Sequence, residues 1–109
     1  MSRMEPRPIR VLVVDDETNF RKVLVRELER RGHQTKSAKD GAEALDLLQG
    51  DSADVVLLDL KMPGLDGIEV MRRLKEQPDS PEIIVMTGFG SVPTAIEAVK
   101  LGEIGRAHV

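Results

Sequence analysis

Three short, unbroken apolar runs constrain this 109-residue chain more than any other feature: Val11-Leu12-Val13-Val14, Val55-Val56-Leu57-Leu58 and Ile83-Ile84-Val85-Met86. Apolar runs without polar alternation mark strands buried on both faces, and such strands belong to parallel sheets with helices packed on either side. The intervening segments carry helical spacing. Residues 9–14 read as the first strand, and residues 18–31 as a helix with Phe20, Val23, Leu24 and Leu28 along one face and Gly32 closing it. Residues 34–37 are a short, polar edge-strand candidate. Asp40 is placed to cap a second helix carrying Ala44, Leu45, Leu47 and Leu48 and ended by Gly50. After the strand at 55–58, a Pro-Gly turn leads to a helix over 67–75 with Val70, Met71 and Leu74 inward. Residues 77–81 are a linker with two prolines, 82–87 a further strand, and Ser91 can cap a last helix with Pro93 in its first turn and Ile96, Val99 and Leu101 as its stripe. The order is β-α repeated four times, which predicts an α/β fold with right-handed crossovers.

The ends of the runs carry the chemistry. The first stops on Asp15-Asp16, the second on Asp59, and the third on Thr87. In open parallel sheets ligands bind outside the carboxyl ends of the strands, where all four residues fall. Three carboxylates brought to one sheet edge are costly unless a cation neutralises them. Carboxylates and turn carbonyls suit a hard, oxygen-seeking ion such as Mg2+. A metal held beside Asp59 can also hold a phosphoryl group there, so that Asp59 can attack phosphorus to form an acyl phosphate. Thr87 would offer its hydroxyl to a phosphoryl oxygen.

Each residue also has a plainer reading. Asp15, Asp16 or Asp40 alone could cap a helix, and Thr87 alone could simply end a strand. Pro63-Gly64 and Asp66-Gly67 are turn formers. His33, just past a helix terminus, reads as solvated or as compensating the helix dipole. The charged residues between Arg21 and Arg31 read as a solvated helix face, and the methionines as core filling. It is the conjunction of acids, turn and threonine at successive strand ends that favours a site.

Composition removes several alternatives. With two phenylalanines and no Tyr or Trp, the chain has an aliphatic core and no aromatic platform for stacking bases. A net charge of −3 gives no general attraction to nucleic acid. The absence of cysteine excludes disulfides, thiolate metal sites and cysteine nucleophiles. No apolar stretch approaches the roughly 20 residues of a membrane span, and the basic, proline-containing start leads into a strand instead of a signal-peptide core. A cytoplasmic protein is expected.

VLVVDDE, VVLLDLKMPGLDG and IIVMTGFGSVPTAIEAVKLG together resemble the receiver domain of bacterial two-component response regulators, over residues 9–102. That resemblance implies a flavodoxin-like doubly wound parallel sheet with strand order 2-1-3-4 for the strands present. It implies Asp59 as phosphoacceptor from a sensor histidine kinase, with Mg2+ as cofactor. Asp16 would be a direct magnesium ligand and Asp15 would act mainly through bound water. Asp59 itself and the backbone carbonyl of Lys61 would complete the metal ligands, and Thr87 would be the switch hydroxyl. The segment 87–102 looks most like receivers of the nitrogen-regulation class, often attached to an AAA+ module and a helix-turn-helix domain. The resemblance further implies a homodimer through the receiver as one partner, a transcriptional output domain outside this chain, and no direct nucleic-acid or membrane binding.

The family pattern fails near the carboxyl end. Receivers continue into a fifth strand ending in a Lys-Pro pair and then a fifth helix, and nothing in residues 101–109 resembles either. Glu103–Val109 can instead be written in codons as GAG-ATC-GGA-AGA-GCA-CAC-GTC, which resembles a short-read sequencing adapter. The expected organisation is a disordered head at 1–8, an incomplete receiver at 9–102, and a non-native tail at 103–109. Two other functions fit the same acids: an aspartyl-phosphate phosphatase or phosphotransferase, and an inert pseudo-receiver acting only by protein contacts. Lys61 disfavours the phosphatase, because it stands two residues after Asp59, where such an enzyme carries a second catalytic acid.

Overall fold

The structure, a computed structural model, describes residues 9–50, 52–59, 67–77, 80–86, 96, 97 and 99. Its elements run β1 (Arg10–Val14), α1 (Thr18–Arg30), β2 (Gln34–Ala38), α2 (Gly41–Gly50), β3 (Val55–Asp59), α3 (Gly67–Lys75) and β4 (Glu82–Met86). The four strands form one parallel sheet in the order β2-β1-β3-β4, a flavodoxin-like arrangement. Polarity separates β2 from the two central strands. All five residues of β3 and four of the five in β1 are buried, whereas β2, with the sequence QTKSA, takes an edge and buries only Ala38. The polar head at 1–8 and the tail at 103–109 lie outside the described residues.

Strand pleat sends alternate residues to opposite faces, and each face builds its own core. Val11, Val13, Val55 and Leu57 pack with Leu24 and Leu28 of α1 and with Ile96 and Val99. Leu12, Val14, Val56 and Leu58 pack with Ala44 of α2 and with Val70 and Leu74 of α3. Each fully buried valine or leucine contributes about 1.5–3 kcal/mol relative to exposure, so these two layers dominate the fold's stability. Residues 96, 97 and 99 are helical, as expected for the last helix, and Ser91, Pro93 and Leu101 lie outside the described residues. β4 departs from the expectation of a strand buried on both faces: it stands at the other end of the strand order, and Val85 is exposed while Ile83, Ile84 and Met86 are half-buried. A residue of α1 expected in the core also lies outside it. Val23 is 45% exposed, because α1 presents the i, i+4, i+8 row Phe20, Leu24 and Leu28 to the sheet, and Val23 sits about 100° round the helix from Leu24.

Two helix boundaries follow local chemistry. At the end of α1, Gly32 has φ +92°, the His33 N–H donates to the Leu28 carbonyl at 3.1 Å, and the Gly32 N–H donates to the Glu29 carbonyl at 3.0 Å. That pair of bonds is a Schellman motif, and it requires the left-handed residue that glycine supplies. Asp40 caps α2 as expected, its Oδ1 accepting the Glu43 N–H at 2.9 Å, while the Glu43 carboxylate accepts the Lys39 N–H at 2.8 Å. His33 departs from its solvated reading. It is buried, and its Nδ1 accepts the Ile9 N–H at 3.3 Å, fastening the entry of β1 to the α1–β2 turn.

Candidate functional site

β1 and β3 are neighbours with Val14 opposite Leu58, so the residues that follow, Asp15 and Asp59, emerge side by side at one edge of the sheet. Asp59 is the last residue of β3, is paired with Met86 of β4 and is buried. Asp15 is also buried and continues the ladder by one step, its N–H donating to the Ala38 carbonyl at 3.1 Å. Asp16 is exposed. One carboxylate oxygen from each of Asp15, Asp16 and Asp59 lies within 4.8 Å of the other two. The oxygens of a magnesium octahedron stand about 3–4.2 Å apart at metal–oxygen distances of about 2.1 Å, so one ion can be reached by all three with little adjustment. The exposed side of Asp16 leaves room for the waters that magnesium retains.

The electrostatics record the strain of this convergence. Burial pushes the Asp15 carboxyl above its ordinary range. The Glu17 N–H, donating to Asp15 Oδ1 at 2.8 Å, pulls it partly back, and the nearby charges of Asp59, Asp16 and Glu17 push it up again. A cation among the acids would favour their ionised forms and so oppose the upward shift.

Of the residues singled out from sequence, the structure brings together Asp15, Asp16 and Asp59. Asp40 is not among them; it is a helix cap. Asp15 does not cap α1 either, since the residue at that position is Glu17 and its side chain makes no capping bond. Thr87, Lys61 and the turn residues Pro63, Gly64 and Asp66 lie outside the described residues. Arg21 departs from the solvated-face reading: it is half-buried, and its Nη1 donates to the Asp15 carbonyl at 2.8 Å. The available signal was its position in the first turn of the helix that leaves the acid pair, within reach back to the strand end.

Residues 11–105 match the response regulator receiver domain. The chain belongs to that family. The receiver is 37% identical over 95 residues to Sporulation initiation phosphotransferase F of Bacillus subtilis, covering 87% of this chain and 77% of that protein. It is 43% identical over 95 residues to Response regulator MprA of Mycolicibacterium vanbaalenii, again over 87% of this chain but only 41% of the relative's length. Among solved structures, the response regulator TrrA of Thermotoga maritima, determined in complex with Mg2+-BeF, superposes with a TM-score of 0.68 at 38% identity, over 74% of this chain and 70% of that one. No helix among the described residues of the receiver is long and apolar enough to cross a membrane.

Proposed function

We propose that this receiver is a phosphoacceptor switch of a two-component system, with Asp59 as the residue modified. The observation that carries the reading is the convergence of the Asp15, Asp16 and Asp59 carboxylates within 4.8 Å at the carboxyl ends of adjacent parallel strands. An Asp59 carboxylate oxygen attacks phosphorus as the bond to the donor breaks; with a histidine kinase as donor, a P–N bond is lost and an aspartyl P–O bond forms. Asp16 and Asp59 would hold Mg2+ directly, Asp15 would hold it through water, and the Lys61 carbonyl would be the remaining protein ligand. Bound there, the ion would supply positive charge against the transferring phosphoryl oxygens. The Thr87 hydroxyl would close on the product and so pass the change to the helix that follows. The Mg2+-BeF complex of TrrA supports the ion's identity by likeness.

The finer reading places the receiver in the cytoplasm with a sensor histidine kinase as partner, a homodimer through the receiver, and a transcriptional output domain of the nitrogen-regulation class. Its support is the likeness of segment 87–102, and, for an output domain, the greater length of relatives such as Response regulator MprA, of which the chain spans 41%. A second role, relay of the phosphoryl group onward, is favoured by the likeness to a phosphotransferase over 77% of that protein.

Incubation with a small acyl-phosphate donor and Mg2+ tests the function. Incorporation of at most one phosphoryl group per chain, dependent on Mg2+ and lost in Asp59→Ala, is the expected result. Turnover of many donor molecules without accumulation would point to a phosphatase, and no incorporation would point to an inert pseudo-receiver.

A further inference from the structure

We propose that Arg21 is a positioning residue for the magnesium pocket, an inference that rests on the function proposed above. The carbonyl it grips, that of Asp15, belongs to the peptide plane joining Asp15 to Asp16. That plane is rigid, so holding its oxygen limits the relative directions in which two of the three acids leave the backbone. The rest of the loop is fixed around the same point. The Asp15 N–H is bound to the Ala38 carbonyl at 3.1 Å, Asp15 Oδ1 receives the Glu17 N–H at 2.8 Å, and the Arg21 N–H closes the first helical turn on the Glu17 carbonyl at 3.0 Å. Arg21 is therefore tied to the acid loop twice, through its backbone and through its guanidinium, and it is half-buried there, unlike the exposed Lys22 beside it.

The charge of Arg21 makes the proposal discriminating. A guanidinium near a cation site repels the cation, so on electrostatics alone its removal should tighten magnesium binding. If its principal role is to hold the peptide plane, removal should weaken binding, because the acids must then be ordered at the moment the ion arrives. The two effects have opposite signs.

The experiment is a MgCl2 titration of the 109-residue chain followed by backbone amide NMR at residues 15–17 and 59, comparing wild type with Arg21→Met, Arg21→Lys and the control Lys22→Met. Arg21→Met should bind Mg2+ about tenfold more weakly. Its Asp16 amide resonance should move in the ion-free protein while those of α2 and α3 stay in place, which a general loss of structure would not produce. Lys22→Met should bind no more weakly than wild type. Should Arg21→Met fail to fold, Arg21→Lys takes its place: it keeps the charge but loses the planar fork, and its affinity should fall several-fold. Wild-type binding matched or exceeded by the folded Arg21 variant overturns this inference alone. A wild type without Mg2+-dependent shifts overturns the proposed function and this inference with it.

Discussion

At the residue scale, Asp15 concentrates the conflict between folding and binding. Its folded-state carboxyl is raised, so the folded protein binds this proton more tightly than the unfolded chain does, and the ionised form costs stability. The cost is full at neutral pH and fades as pH falls through the raised value toward the ordinary carboxylate range. Asp15→Asn keeps the acceptor for the Glu17 N–H and removes the charge. It should therefore raise ion-free stability at pH 7, with the gain shrinking as pH falls toward the ordinary carboxylate range. Saturating Mg2+ should stabilise wild type more than the variant. Urea denaturation at both pH values, with and without Mg2+, measures each sign. The acids were legible in the sequence because each ends a buried strand, and a parallel sheet aligns strand ends. Arg21 and His33 were not, because the partner of each is a backbone group brought near by tertiary structure: the Asp15 carbonyl and the Ile9 N–H.

At the element scale, punctuation matters more than propensity. Gly32 ends α1 at φ +92°, and a Cβ built there meets nothing within 4 Å, so a substitution is opposed by backbone conformation and not by crowding. Gly32→Ala should cost about 1 kcal/mol, seen as a lower denaturant midpoint with an unchanged slope. The strand and helix order was legible throughout the described residues, because three unbroken apolar runs admit few alternatives. The exact inward face of α1 was less so. Phe20, Val23, Leu24 and Leu28 all fit a helical stripe, and only docking on the sheet shows that Val23 falls outside it.

At the scale of the whole molecule, two thin aliphatic layers on a central sheet carry the fold. Leu57 is fully buried in one of them, whereas Val23 is exposed and belongs to neither. Leu57→Ala should cost about 2–5 kcal/mol, a large share of a domain stability of about 5–15 kcal/mol, and Val23→Ala about 0.5 kcal/mol or less. Equal costs, read from urea midpoints, would contradict the assignment of the core. That sheet serves function by making β1 and β3 adjacent and level, which turns two separate sequence motifs into one acidic pocket. The central claim is that Asp59, within this pocket, accepts the phosphoryl group. Its most direct test treats the protein with a small acyl-phosphate donor and Mg2+, traps the aspartyl phosphate by borohydride reduction, and maps the altered residue by peptide mass spectrometry. Modification at Asp59 that disappears when Mg2+ is chelated is the predicted result; modification confined to another residue, or undiminished in Asp59→Asn, would contradict it.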